Sequence, residues 1–110
     1  MSKPVVFITG GGRRIGAAIS SMLMDEGYFV LIHARNSVEE AQAIIDAHSK
    51  ANGGETSGEI ITADLLNADI GELIARIQNH PKVIADGGLF GLINNASVYQ
   101  PISFDDLTFE

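Results

Sequence analysis

The sequence Thr9-Gly10-Gly11-Gly12-Arg13-Arg14-Ile15-Gly16 follows the apolar run Val5-Val6-Phe7-Ile8 and leads directly into a helical pattern. An unbroken run of β-branched and aromatic residues predicts a strand that is buried on both faces. The glycines allow a tight turn and a close approach to a ligand, and the free N–H groups at the helix start favour an anion. This segment therefore predicts a phosphate-binding turn; the alternative is an ordinary strand–helix turn.

The spacing of the glycines separates this turn from two common phosphate-binding loops. Gly10-x-Gly12-x-x-x-Gly16 is not the dinucleotide pattern G-x-G-x-x-G, and the Gly-Lys-Ser/Thr of a Walker loop is absent. The turn resembles the Thr-Gly-x-x-x-Gly-x-Gly turn of the short-chain dehydrogenase/reductases, with Arg14 in the place of the middle glycine, as in the pteridine reductases of that family. The resemblance implies that the residues in contact with the cofactor here are Gly10, Arg13, Arg14, Ile15 and Gly16.

Apolar runs alternate with helical stripes along the rest of the chain, which favours an α/β fold with a parallel sheet. Further strands are predicted at residues 28–33, 59–63 and 89–93, and a loop at 81–88. Helices are predicted from the stripe Ile15, Ala18, Ile19, Met22 and Leu23, over residues 38–50, and from the stripe Ile70, Leu73, Ile74 and Ile77. Together with the resemblance, this pattern predicts an incomplete Rossmann-type doubly wound parallel sheet with strand order 3-2-1-4. Residues 1–110 are then the N-terminal NADP-binding half of a single reductase domain whose remainder is missing.

The residues that follow the second predicted strand, Ala34-Arg35-Asn36-Ser37, include no acid. In a nicotinamide-binding fold this strand end meets the adenosine ribose, where a carboxylate holds a 2′-hydroxyl and a base accepts a 2′-phosphate. Arg35, with Asn36 and Ser37 beside it, therefore predicts NADP(H) as the cofactor. The alternatives are that Arg35 is a solvated side chain and that Ser37 caps the next helix in a capping box.

An acid at the end of the third strand usually binds the adenine in this family. The resemblance therefore implies that Asp64 and the backbone of Leu65 contact the adenine. The alternative is an aspartate that bonds its own loop backbone.

The segment Asn94-Asn95-Ala96-Ser97 resembles the Asn-Asn-Ala-Gly element of the family, with the serine found in pteridine reductases. The resemblance implies that Asn95, Ala96 and Ser97 line the ribose and nicotinamide side of the cofactor. It also implies a pterin that stacks on Tyr99 and is hydrogen-bonded by Arg14 and Ser97. Tyr99 packed in an amphipathic loop is the alternative.

The composition excludes several other classes of function. The 110 residues carry a formal net charge of −7, which argues against nucleic-acid binding, and they include no cysteine. The three histidines lie in different predicted elements, so we predict no metal site. No signal sequence and no apolar run long enough for a membrane span stand out, so we expect a cytoplasmic protein without a membrane partner.

The catalytic Tyr-x-x-x-Lys of the family is absent, because Ile32 and Ser103 follow the two tyrosines at that spacing. We therefore expect no catalytic residue in this chain, and an NADP-dependent oxidoreductase acting on a pterin when the domain is complete. The missing part is expected as a continuation or a second chain, and the complete protein as a homo-oligomer. The alternatives are a carbonyl or 3-oxoacyl reductase of the same family, or a non-catalytic nucleotide-binding fragment.

Overall fold

The computed structural model describes residues 3–10, 12, 14–64 and 70–95. Strands and helices alternate along these residues, as the sequence predicts. The elements are β1 (Val5–Thr9), α1 (Arg14–Asp25), β2 (Phe29–Ala34), α2 (Val38–Ala51), β3 (Gly58–Thr62), α3 (Ile70–Gln78), α4 (Pro81–Ala85) and β4 (Gly91–Asn94). Within these ranges, no helix is long and apolar enough to span a bilayer.

The strands form one sheet in the order β3-β2-β1-β4, and all three neighbouring pairs are parallel. The predicted strand order is therefore confirmed. Because the strands are parallel, their last residues lie along a single side of the sheet, which we call the carboxyl edge. The residues that end the strands there are Thr9, Ala34, Thr62 and Asn94.

The sheet has an apolar core on each face, because successive side chains of a strand point to opposite sides. Phe7 and Leu31 pack with Leu73 and Ile77 of α3 and Val83 of α4. On the other face, strand residues pack with Met24 of α1 and with residues of α2. All residues of β1 and β2 are buried, which confirms the expectation of strands covered on both faces.

The helix α1 packs against the sheet through a different face from the predicted apolar stripe. Its buried residues are Gly16, Ser20 and Met24, whereas Ile15 and Met22 are 70% and 55% exposed. Ile19 and Leu23 are partly buried against the core beside this face. The predicted helix is confirmed, but the small residues Gly16 and Ser20 let its axis approach the sheet closely, so only Ile19 and Leu23 of the stripe contact the core.

A short helix occupies much of the segment predicted to be a loop. In α4, Pro81 stands in the first turn, where its missing N–H costs nothing. Nδ1 of His80 accepts a hydrogen bond from the N–H of Lys82 at 3.1 Å and so caps the helix. Five residues are too few to produce a helical period in the sequence, and the loop prediction was wrong for this reason. The strand β4 also begins two residues later than predicted, at Gly91.

The first residue of α1, Arg14, has a φ of +53°. This is the left-handed region, which side chains with a Cβ seldom adopt and which glycine adopts freely. The resemblance puts a glycine at this position, so the arginine occupies a backbone conformation that suits its relatives' residue better. Strain of this kind is typical of functional sites.

Substitutions of Arg14 measure the cost of this backbone conformation. In the complete protein, we expect the free energy of unfolding of the Arg14→Gly variant to be about 1 kcal/mol higher than that of the Arg14→Ala variant. Both variants lack the arginine side chain, and glycine alone relieves the backbone. Denaturant titration of the two variants measures the difference, and equal stabilities would contradict a strained φ at this residue.

Candidate functional site

Polar groups from four different segments meet at the carboxyl edge, where open parallel sheets bind their ligands. The glycine-rich turn leaves β1 there, and Arg35 follows β2. Asp64 follows β3, and Asn95 follows β4. Within the described part of the chain, each strand end therefore contributes at least one predicted site residue to this edge.

The turn after β1 is fixed by close contact with the start of α1. Gly10 has a φ of +63°, and its carbonyl oxygen accepts a hydrogen bond from Nδ2 of Asn95 at 3.1 Å. A Cβ on Gly16 would lie 2.2 Å from that carbonyl oxygen and 2.5 Å from Nδ2 of Asn95. Any side chain at Gly16 would therefore push the helix away from the turn.

The same turn packs against the beginning of α2. A Cβ on Gly12 would lie 2.9 Å from both the carbonyl oxygen and Oγ of Ser37, and 3.0 Å from Cβ of Ala41. Glycine at this position lets the turn pass directly over the helix. Ser37 is buried beneath it and makes no side-chain hydrogen bond that caps α2. The prediction of a capping box was wrong, because Ser37 has a ψ of 34° rather than the extended conformation of a typical cap.

The start of α1 has the character of an anion site. Its first turn holds no acidic residue, whereas the first turn of α2 holds Glu39 and Glu40. The first turn of α1 therefore supplies no carboxylate of its own that would neutralise the positive end of the helix dipole. The side chains of Arg14 and Ile15 are both exposed at this end.

The end of β4 is tied to the end of β1 by side-chain hydrogen bonds. Oγ1 of Thr9 donates to Oδ1 of Asn94 at 3.1 Å and accepts from the backbone N–H of Asn95 at 2.9 Å. These contacts place the Asn95 amide against the turn, as described above. The side chain of Asn95 therefore lies beside the glycine-rich turn.

Arg35 and Asp64 form an ion pair that the sequence did not suggest. One guanidinium nitrogen of Arg35 lies 3.3 Å from a carboxylate oxygen of Asp64, and the two side chains are 52% and 29% exposed. Solvent screens such a pair, so it contributes little to stability. Its effect is to hold a cation at the junction of β2 and β3, with guanidinium N–H groups still facing solvent. Asn36, next to Arg35, is exposed as well.

His33 joins two of these segments, although its place in the sequence indicates no functional role. Its ring is buried near the end of β2. Nδ1 accepts a hydrogen bond from the N–H of Gly10 at 2.9 Å, and Nε2 lies 2.8 Å from the carbonyl oxygen of Ala63. The signal in the sequence was a polar residue inside an otherwise apolar central strand.

The remaining predicted site residues lie outside the described residues: Arg13, Leu65, Ala96, Ser97 and Tyr99. In the part of the chain that the structure covers, no three histidine, cysteine or acidic side chains are grouped to hold a metal. The groups at the carboxyl edge, namely glycine amides, a helix N-terminus and an exposed guanidinium, fit an anionic nucleotide ligand better than a metal ion.

A concave surface also lies elsewhere, on the face of the sheet that carries α3 and α4. It is a groove of about 620 Å³ bordered by Phe7 of β1, Leu92 of β4 and residues of the two helices and the loop after them. None of the side chains that line it is titratable. The groove therefore offers packing surface rather than groups for catalysis.

Comparison with known proteins agrees with this site. Residues 4–110 match the family model described as short chain dehydrogenase. The short-chain dehydrogenase/reductase homolog YusS of Bacillus subtilis is 34% identical over 104 residues, which are 94% of this chain and 88% of YusS. The 3-oxoacyl-[acyl-carrier-protein] reductase FabG of Aggregatibacter actinomycetemcomitans is 30% identical, with 96% of this chain and 40% of FabG covered.

Two solved structures share the fold. FolM alternative dihydrofolate reductase 1 from Brucella canis, crystallised with NADP, has a TM-score of 0.73 and 31% identity, covering 96% of this chain and 39% of FolM. YwfH, an NADPH-dependent reductase of bacilysin biosynthesis, has a TM-score of 0.73 and 25% identity, covering 98% of this chain and 43% of YwfH.

Several matched relatives are much longer than this sequence, which spans about two-fifths of the length of FabG, FolM and YwfH. The match to the family nevertheless includes the glycine-rich turn, all four strands and the asparagine element after β4. On the combined evidence of the sheet order, the site geometry and the family match, the chain belongs to the short-chain dehydrogenase/reductase family.

Proposed function

We propose that this chain is the cofactor-binding part of an NADP(H)-dependent oxidoreductase that reduces a pterin such as a dihydropterin or dihydrofolate. The bound cofactor would supply hydride from its nicotinamide ring. The residues described here bind and orient that cofactor and form part of the substrate pocket. The proton donor of the reaction belongs to a part of the protein beyond these residues.

The observation that carries the cofactor proposal is the exposed Arg35 guanidinium at the end of β2. A guanidinium pairs with phosphate through charge-assisted hydrogen bonds, and a 2′-phosphate distinguishes NADP(H) from NAD(H). The contact with Asp64 restrains the guanidinium and leaves part of its donor set exposed to solvent. FolM, which was crystallised with NADP, and YwfH, which is an NADPH-dependent reductase, support the same cofactor.

The other contacts to the cofactor follow from the carboxyl edge. The turn from Gly10 to Gly16, including Arg13, Arg14 and Ile15, would hold the pyrophosphate with backbone N–H groups and the start of α1. We assign Asp64 and Leu65 to the adenine, and Asn36 and Ser37 to the region of the 2′-phosphate. Ser37 is buried under Gly12, whereas Asn36 is exposed beside Arg35. Asn95, Ala96 and Ser97 would face the ribose and nicotinamide.

The substrate proposal rests on Arg14 in the place of a glycine, with Ser97 and Tyr99. Arg14 is exposed at the start of α1, so its guanidinium is free to meet a ligand above the turn. Tyr99 would stack on a flat heterocycle, and Ser97 would hydrogen-bond its polar edge. The similarity to a dihydrofolate reductase of the FolM type supports a pterin. The similarity to FabG favours a second candidate, reduction of a 3-oxoacyl thioester.

We also propose that the complete domain includes a further segment that covers the apolar groove and pairs with β4. Within the described residues, β4 pairs with β1 alone, and Leu92 on this strand is 62% exposed. An exposed apolar edge strand is normally covered in natural proteins. We propose separately that the complete protein is a cytoplasmic homo-oligomer. The alternative function is that of a non-catalytic nucleotide-binding fragment.

Removal of the Arg35 guanidinium tests the cofactor assignment. In the complete protein, Arg35→Ala should weaken NADPH binding by about tenfold or more and leave NADH binding nearly unchanged. The reason is that a charge-assisted contact contributes about 1.5–3 kcal/mol. Fluorescence titration with both cofactors measures the ratio. Lys50→Ala is the matched control, because it removes the same charge from the far end of α2, near the opposite edge of the sheet. A cofactor preference that survives Arg35→Ala would refute the assignment.

Substitutions of Tyr99 test the substrate assignment. Tyr99→Ala should weaken dihydrobiopterin by roughly 1–3 kcal/mol, by analogy with the loss of a base–aromatic stack. Tyr99→Phe keeps the ring and should bind the pterin about as well as the natural protein. Steady-state kinetics with dihydrobiopterin, dihydrofolate and a 3-oxoacyl thioester measure both effects. Turnover of the thioester with no activity on either pterin would favour the second candidate.

Residues 1–110 alone should not catalyse reduction, because they contain no tyrosine four residues before a lysine. Such a lysine normally assists the tyrosine as a general acid. The measurement is NADPH oxidation in the presence of dihydrobiopterin, on material whose intact mass confirms that it ends at Glu110. Sustained turnover would show that a different proton donor acts within these residues.

A further inference from the structure

The buried imidazole of His33 has its tautomer fixed by its two neighbours. A backbone N–H can only donate, so Nδ1 of His33 must accept the hydrogen bond from Gly10. The ring proton is therefore on Nε2, which donates to the carbonyl oxygen of Ala63. The imidazole is neutral in this arrangement, since a protonated ring would have no acceptor for the Gly10 amide.

The ring stands where the hydrogen-bonded ladders of the sheet stop. The paired register of β1 with β2 ends at Ile8 and Ile32, and that of β2 with β3 ends at Ala34 and Thr62. Gly10 and Ala63 directly follow β1 and β3, the two strands that neighbour β2. One side chain of the middle strand thus satisfies an amide on one side and a carbonyl on the other.

The two partners of His33 belong to different parts of the proposed cofactor site. Gly10 begins the turn assigned to the pyrophosphate, and its carbonyl is held from the opposite side by Asn95. Ala63 immediately precedes Asp64, which contacts Arg35 and is assigned to the adenine. The ring therefore sets the distance between the segment that holds the phosphates and the segment that holds the adenosine.

We propose that His33 is a positioning residue for the dinucleotide, which fixes the phosphate turn and the end of β3 relative to each other through its two ring nitrogens. This inference rests on the proposed NADP(H) function and deepens it. A substitution that displaces one half of a binding site weakens the binding of every ligand that contacts both halves. A ligand that contacts only one half reports on that half alone.

Three substitutions separate the two hydrogen bonds. His33→Asn places an amide oxygen near the position of Nδ1 and is too short to reach Ala63. His33→Gln can extend an N–H toward Ala63 and offers no acceptor at the Nδ1 position. His33→Leu keeps apolar volume and makes neither bond. The ligands are NADP⁺, which spans both halves, and adenosine 2′-monophosphate, which lacks the pyrophosphate.

Calorimetric titration of the complete protein gives the expected pattern. His33→Gln should bind adenosine 2′-monophosphate like the natural protein and lose about tenfold in NADP⁺ affinity, as expected for a buried amide left without its acceptor. His33→Asn should lose affinity for both ligands by a similar factor, because the end of β3 is released. His33→Leu should lose most for NADP⁺. Unchanged affinities in all three folded variants would overturn the positioning role while leaving the proposed function intact.

Nuclear magnetic resonance on the natural complete protein tests the inference even where the variants do not fold. The ¹⁵N signals of His33 should report the Nε2-protonated tautomer, with a scalar coupling between Nδ1 and the Gly10 amide. Adenosine 2′-monophosphate should shift the Gly10 amide, although this ligand has no group for the phosphate turn. Absence of both the coupling and the shift would overturn the inference. A protein that binds neither NADP⁺ nor adenosine 2′-monophosphate would overturn the proposed function and the positioning role together.

Discussion

The backbone of Gly10 makes the contacts on which the carboxyl edge of the sheet depends. Its N–H donates to His33 of β2, and its carbonyl oxygen accepts from Asn95 after β4. The same carbonyl lies so close to Gly16 that a side chain there has no room. The N–H and carbonyl of this one residue therefore tie β1 to its two neighbouring strands and to the start of α1, because buried polar backbone groups must find hydrogen-bond partners.

The polar groups of the candidate site and the apolar groove lie on different parts of the molecule. The carboxyl edge holds glycine amides, an exposed guanidinium and a helix start without carboxylates, whereas the groove beside α3 and α4 is apolar and holds no titratable side chain. Arg14 shows that the edge is not arranged for stability alone. A side chain at a φ of +53° is unfavourable for folding, so its presence points to a use in binding.

Much of the fold could be predicted from the sequence because its signals are local. The buried runs of β1 and β2 and the glycine-rich turn each lie within a few consecutive residues, and the strand order follows from their resemblance to one family. Predictions failed where the pattern of apolar residues was weak or did not mark the buried face. The buried face of α1 is made of Gly16 and Ser20, which are not apolar, and α4 is too short to show a period.

The sequence by itself determined the class of fold, the family and the segments that carry the candidate site, because each of these depends on neighbours along the chain. The tertiary structure alone decided which polar groups meet. His33 lies 23 residues from Gly10 and 30 from Ala63, and Arg35 reaches Asp64 from the next strand. Such contacts arise because parallel strands bring their ends to one edge of the sheet. Residues far apart in the chain then lie close enough there to bond one another.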